Sequence, residues 1–317
     1  MTKENLTRAI KQIAMELKFD RVGIAQAEKT PGAAQLDEWL AQGKHGEMLW
    51  MEKYRDIRKD IRKFFPQARS IIMVALNYYT PYQIKDNPHT AKISRYAWGS
   101  DYHKILKKKL KRFLSELKKI DDGMEGRAFV DSAPVMEKQW AVLAGIGWQG
   151  KNTNVLTRDM GSWFFLGGLA VNRELIYDRP LQDYCGSCNA CVEACPTDAL
   201  KPYELDANRC ISYLTIEYRD KPIPTELGGK LHNWVFGCDI CQDVCPWNRF
   251  ARETEEQRFH PKQPVLVNPP LTFLQKLSPK DFDMLFAGTP VRRARYANFK
   301  RNVQTVMDSR PGQDKKA

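Results

Sequence analysis

The chain has 317 residues, 43% of them hydrophobic, enough to bury a full core in two or three domains. No apolar run approaches the ~18 residues that cross a bilayer, and residues 1–20 read as an amphipathic helix rather than a targeting segment, so a soluble cytoplasmic protein with no membrane partner is expected. The net charge of +12 favours a polyanionic partner, nucleic acid first.

Leu6, Ile10, Ile13, Ala14 and Leu17 recur at helical spacing, and residues 19–25 (FDRVGIA) follow as a short strand. Thr30 and Pro31 open a second helix with Leu36, Trp39 and Leu40 inward, closed at Gly43. Residues 43–58 are polar, interrupted by glycine and set with aromatics, the composition of a binding loop or of a plain surface loop. The unbroken apolar run 70–76 (SIIMVAL) reads as a strand covered on both faces. A loop over 77–89 leads through ISRYAWGSDYHKIL to a basic helix, where residues 104–119 carry eight basic side chains against Glu116 alone. Ile105, Leu110, Phe113, Leu114 and Leu117 mark its inner face, leaving the lysines outside.

Residues 127–130 (RAFV) form a strand with Asp131 at its end, ahead of a helix over 135–144. A carboxylate there is placed either as a site residue of an α/β sheet or as a helix cap. Residues 145–156 (GIGWQGKNTNVL) are rich in Gly, Lys and Asn, and 162–172 return to strand character. Residues 1–175 therefore read as one mixed α/β domain. It carries neither GxGxxG after a strand nor GxxxxGK[ST], so nucleotide binding has no support. Beyond a proline-marked connector at 261–270, residues 271–308 look helical. There Val291, Ala294, Ala297 and Phe299 lie among five basic residues of a two-helix unit with a cationic outer face; residues 310–317 are expected to be disordered.

All eight cysteines lie between 185 and 245, as CGSCNACVEACP, Cys210 alone, and CDICQDVCP. Disulfides do not suit this clustering without a secretory signal, and zinc sites present separated pairs rather than a triplet followed by Cys-Pro. Three thiolates two residues apart wrap one cubane, while the fourth points off the loop to a neighbouring cluster. On that logic Cys185, Cys188, Cys191 and Cys245 hold one 4Fe-4S cluster, and Cys195, Cys210, Cys238 and Cys241 the other.

The ordered set SRYAWGSDYH, FVDSAPVMEK, GWQGKNTN, GSWFFLGG, CGSCNACVEACPTDAL, CISYLTIEYR and GCDICQDVCPWN resembles the epoxyqueuosine reductase family over residues 1 to about 302. The resemblance implies a cobalamin-binding α/β (α+β) reductase domain at 1–175, a ferredoxin-like two-cluster domain at 176–255, and a helical segment at 256–317 with a single repeat, shorter than in many members. It implies an oxidoreductase of queuosine biosynthesis and tRNA processing, acting as a monomer on tRNA with a GUN anticodon and fed by a flavodoxin or ferredoxin type of donor. Reduced cobalamin would attack the epoxide-bearing ring.

Asp131 matches the family's proton donor. At an ordinary pKa of ~3.9 it would hold a proton about once in a thousand molecules at pH 7, so the site is expected to raise it by desolvation under the corrin, helped by Phe129, Val130, Ala133 and Pro134. Tyr96, Tyr102 and His103 would orient substrate, assist proton transfer or simply pack. Cofactor contacts implied by the resemblance are Tyr54, Ser94, Arg95, Tyr96, Asp131, Lys151, Asn152, Asn154, Val155, Ser162 and Leu166, with Thr153 among the polar groups. The DxHxxG pattern of other corrin proteins breaks at Leu106, so the corrin would be held without His103 beneath the cobalt. The alternatives are a reductive dehalogenase, usually exported behind a twin-arginine signal that this chain lacks, or a non-enzymatic iron-sulfur carrier or RNA-binding protein. The size of the 1–175 domain argues against a simple carrier.

Overall fold

Every residue of strand Ser70–Asn77 is buried, and the computed structural model, which describes residues 1–310, shows why. The strand pairs antiparallel with Arg21–Gln26 on one side and Phe164–Val171 on the other, and Gly126–Val130 closes the sheet. Ile24, Ile72, Val74 and Leu169 point to helices Lys3–Glu16 and Tyr102–Ile120; Ile71, Met73, Phe129 and Ala170 point to helix Glu137–Leu143. A strand covered on both faces needs no polar alternation, hence the unbroken apolar run. The three layers make the expected α+β domain. The sheet is antiparallel throughout, however, so Asp131 does not owe its place to the carboxyl edge of a parallel sheet.

Two local features aim the site. Gly23 lets helix Glu137–Leu143 press onto the sheet, because a Cβ there would stand 1.9 Å from the Ala144 carbonyl oxygen. The Tyr102–Ile120 helix buries Ile105, Leu106, Leu110, Phe113 and Leu117, and Asp101 caps it by accepting from the His103 N–H at 3.0 Å. That cap fixes the first turn, which carries Tyr102 and His103. The N-cap residue of helix Glu137–Leu143 is Met136, without a side-chain bond, so Asp131 is not a helix cap.

A separate core gathers Ala91–Trp98 with residues 207–307. Lys92–Ile93 pairs in parallel with Trp234–Phe236, and Phe282, Phe286 and Phe299 pack with ring centroids 5.0–5.2 Å apart. Buried Asn302 donates to the Thr215 and Val235 carbonyls at 2.8 and 2.9 Å. The expected boundaries at 175 and 255 therefore do not follow the cores, since Ala91–Trp98 belongs with the C-terminal segments. The C-terminal unit is also less cationic than its sequence suggests. Arg292 pairs with Asp283 and Arg293 with Glu217, while Arg301 turns inward onto the Leu214, Tyr218 and Lys221 carbonyls. Of the four apolar residues set among the arginines and lysines, Val291, Ala294 and Phe299 are buried and Ala297 is exposed. Of the tail expected to be disordered, Arg310 bonds the Pro88 carbonyl and residues 311–317 lie outside the described residues. Among the described residues no helix is long and apolar enough to cross a membrane.

Candidate active site and cluster ligands

The loop after strand Gly126–Val130 borders a cavity of about 1620 Å³, walled also by parts of residues 31–58, 96–103, 137–153, 203–205 and 289–293. That exceeds the ~300–1,000 Å³ of ordinary ligand pockets. At its edge the Tyr102 hydroxyl donates to Asp131 Oδ2 at 2.8 Å, and His103 Nε2 lies 2.9 Å from the same oxygen. His103 Nδ1 lies 2.8 Å from Asp101 Oδ1, so the imidazole is clamped between two carboxylates. The Tyr102 ring stacks on Phe165 at 4.1 Å and on His103 at 4.1 Å, which holds both donors in place.

This arrangement decides where the proton resides. Burial works to lower the His103 pKa, but the hydrogen bonds and charges of Asp101 and Asp131 push it up to about 9. Burial works to raise Asp131, yet His103 and the Tyr102 hydroxyl outweigh it and hold the carboxyl below its ordinary value. At neutral pH the pair is an imidazolium beside a carboxylate, and the proton is stored on His103; the rise expected for Asp131 belongs to the site covered by the corrin. Phe129 and Val130 lie in the core, while the Asp131 side chain is 54% exposed to the cavity.

Two further groups on the wall escaped the sequence reading. Glu137 is pushed up to about 7, by burial first and then by the charge of Asp131. Arg58 is 9% exposed with its Nε unpartnered, and burial lowers its pKa. Glu137 gave no signal, because an acid in a helix's first turn is commonplace. Arg58 closes the 43–58 stretch already marked by composition, and Met48, Trp50, Met51 and Tyr54 of that stretch line the cavity with it.

Of the residues expected to hold a corrin, Tyr54, Tyr96 and Asp131 line the cavity. The others are engaged elsewhere. Ser94 Oγ and the Arg95 N–H both donate to buried Asp239, and the Arg95 guanidinium donates to the Thr80 and Tyr82 carbonyls. Lys151 donates to the Gly186 carbonyl at 2.8 Å, Asn152 to the Cys241 carbonyl at 3.2 Å, and Ser162 bonds Asn248 and Gln242. Asn154 accepts from Lys138 Nζ at 3.1 Å, and Val155 and Leu166 pack in or against the sheet's core. Most of this set braces the sheet domain against the cysteine loops. Thr153 alone of the GKNTN run reaches the cavity, holding a left-handed φ of +64° that is costly for a β-branched residue and is pinned by its N–H bond to the Gly150 carbonyl at 2.8 Å.

The cavity suits a large amide-rimmed group. Gln35, Gln42, Gln139, Gln149 and Thr153 offer polar contacts around it, and Arg58 leaves a buried donor unpartnered in its wall.

The thiols fall into two neighbourhoods. Cys245 is raised by burial and then by the charges of Cys185 and Cys188, and Cys191 by burial and then by Cys245 and Cys185. Cys238 is raised by burial, then by Cys210 and Cys241; Cys210 is raised by burial, with Cys195 adding to it. Cys241 feels burial first, then Cys210 and, from the first run, both Cys191 and Cys195, so the two runs lie close together and the division into two sets of four remains the reading of the spacing. Among the described residues no three such ligand side chains converge closely enough for a single ion. Trp148 Nε1, buried with no acceptor at hydrogen-bonding distance, lies by Cys185 and opposes the rise that burial imposes on it, the kind of donor that a cluster thiolate takes.

A family profile described as "Epoxyqueuosine reductase QueG, DUF1730" matches residues 58–132, and one described as "4Fe-4S double cluster binding domain" matches 184–248. The epoxyqueuosine reductase of Leadbetterella byssophila is 45% identical over 303 residues, covering 95% of this chain and 98% of that one. That of Synechocystis is 45% identical over 283 residues, covering 89% and 97%. A crystal structure of an epoxyqueuosine reductase with a tRNA-Tyr epoxyqueuosine-modified stem loop superposes with a TM-score of 0.85 at 28% identity, covering 96% of this chain and 81% of that one.

Proposed function

This chain belongs to the epoxyqueuosine reductase family, and we propose that it reduces epoxyqueuosine to queuosine at the wobble position of tRNA with a GUN anticodon. The observation that carries the reading is the His103–Asp131–Tyr102 cluster at the edge of a cavity large enough for a corrin, with two sets of four cysteines behind it. Removing an epoxide oxygen to leave an alkene takes two electrons and two protons and releases water.

Bound cobalamin supplies the nucleophilic, two-electron reducing chemistry. Tyr54, Tyr96, Thr153 and the wall glutamines would hold it, with Arg58 as a buried donor. Displacing water from around Asp131 weakens the ionic form of its pair, so the proton stored on His103 moves toward Asp131 Oδ2 and from there to the departing oxygen, and a second proton, drawn from solvent, completes the released water. Tyr102 holds that carboxylate in line. Cys185, Cys188, Cys191 and Cys245 carry one cluster and Cys195, Cys210, Cys238 and Cys241 the other. The protein works as a cytoplasmic monomer whose electrons come from a flavodoxin or ferredoxin type of donor. The basic face of the Tyr102–Ile120 helix positions the anticodon stem by its phosphates; Lys107, which donates to Ser132 at 3.1 Å, stands closest to the site.

The test is single-turnover conversion. Protein reconstituted without oxygen with iron, sulfide and cobalamin should convert an epoxyqueuosine-bearing stem-loop to queuosine, seen by mass spectrometry of the digested nucleosides as loss of one oxygen. A nucleoside left unchanged by protein with full clusters and bound corrin would overturn the reading.

A further inference from the structure

We infer that the face around Cys185, Cys188 and Cys245 is the docking surface for a small acidic electron-carrier protein, and that electrons enter at this cluster rather than at the other. The inference rests on the reductase reading, which requires electrons from outside the chain.

The two cysteine sets differ in what they border. Cys188 is exposed, whereas none of Cys195, Cys210, Cys238 and Cys241 is. The second set adjoins the cavity: Gly237, next to Cys238, packs against Tyr96 of the cavity wall, where a Cβ would lie 3.5 Å from the ring. Exposure at Cys188 and contact with the cavity wall beside Cys238 order the route from the surface through the Cys188 set and the Cys238 set to the cavity.

The surface over the outer set has its own character. Tyr184, next to Cys185, and Trp247, two residues beyond Cys245, lie with ring centroids 6.0 Å apart, and the Trp247 Nε1 donates to the Tyr184 carbonyl at 3.3 Å. Phe250, 42% exposed, stands 6.0 Å from Trp247. Arg158 lies 4.5 Å over the Tyr184 ring and Arg249 lies 4.6 Å over Phe250. Both arginines are exposed, and neither takes a carboxylate partner among the described residues. Of the nearby acids, Asp183 is engaged by Tyr203 and the Cys185 N–H, and Asp159 by Arg21.

A small aromatic platform with two unpaired guanidiniums at its rim has the build of a transient electron-transfer interface. The apolar centre brings the redox groups close, the cations steer an acidic partner, and the small area lets it leave after one electron. Each encounter oxidises the carrier by one electron and reduces the outer cluster by one. Two encounters supply one epoxide.

The experiment compares cluster- and cobalamin-loaded protein with its Arg158→Glu/Arg249→Glu variant, using flavodoxin as the carrier. In calorimetry the unaltered protein should bind flavodoxin with an affinity that falls with salt, and the variant should bind at least about tenfold more weakly, the size of one lost steering contact. In stopped flow, reduction of the clusters by reduced flavodoxin should slow about tenfold or more, while reduction by dithionite should not change. The Arg158→Lys/Arg249→Lys variant should recover most of both. Unchanged flavodoxin affinity, or equal slowing with both reductants, would overturn the proposal. So would a concentration-dependent dimer abolished by the variant, because a second copy would then cover the face. Cluster reduction is read without tRNA, so a failure of epoxide conversion would count against the functional reading and leave this test standing.

Discussion

Replacing Asp131 by Asn preserves the side chain's shape and removes the charge that faces His103. A rise of the imidazole pKa from 6.5 to about 9 corresponds, at ~1.4 kcal/mol per pH unit, to roughly 3 kcal/mol in favour of the imidazolium. Asp101 and Asp131 provide it together, at 2.8 and 2.9 Å from the two ring nitrogens. The Asp131 side chain is more than half open to the cavity, so solvent screens its share. Its loss should still lower the His103 value by about one unit or more. The assay is NMR titration of the histidine ring protons in cofactor-free protein, with His103→Gln assigning one of five histidines. The sign of the linked stability follows. A folded-state value above 6.5 means that the imidazolium's stabilisation is complete below pH 6.5 and is lost as pH rises through about 9, so Asp131→Asn should flatten the stability profile between them. Turnover should fall at least ~100-fold, the lower scale of acid catalysis. A His103 midpoint still near 9, or turnover at the original rate, would refute the proton store.

Other substitutions separate the remaining parts. Cys245→Ala should disturb the cluster of Cys185, Cys188 and Cys191 and spare that of Cys238 and Cys241, as read by Mössbauer and EPR spectra of each cluster; loss of the second alone would break the pairing. Lys107→Glu should weaken stem-loop binding and reduce the salt slope of log affinity by about 0.7–0.9, measured by anisotropy at several salt concentrations. An unchanged slope would make Lys107 a solvated lysine. Phe299→Ala, which empties a fully buried position between Phe282 and Phe286, should cost about 3–5 kcal/mol by urea denaturation. A cost under ~1 kcal/mol would mean that those rings do not share one core.

What the sequence disclosed and what it hid divide along range. The basic helix and the strand 70–77 were legible because period and side-chain branching are local, and both elements fall within a residue or two of their expected bounds. The two-cluster motif was legible because cluster ligation constrains spacing within a loop. The proton store was not. His103 and Asp131 lie 28 residues apart and meet because the Gly126–Val130 strand packs against the Tyr102–Ile120 helix, a contact that leaves no periodic mark. The bracing contacts of Lys151 and Asn152 share that origin. GKNTN looks like a ligand loop by composition, yet Lys151 and Asn152 face the cysteine loops because the two domains meet there.

The residence of Ala91–Trp98 in the C-terminal core has a consequence for how the protein is made. During synthesis the sheet strands, complete at Val171, emerge well before Trp234–Phe236, the partner of Lys92–Ile93. A nascent chain can close its first sheet while the segment after Asn77 still hangs unpaired, and five of the eight cysteines emerge during that interval. Iron and sulfide delivered before the last helix arrives would meet loops whose anchor at Asn302 is not yet in place. A fragment ended before Arg295–Asp308 should therefore form its sheet yet hold less iron than the whole chain, as read by iron content after anaerobic reconstitution.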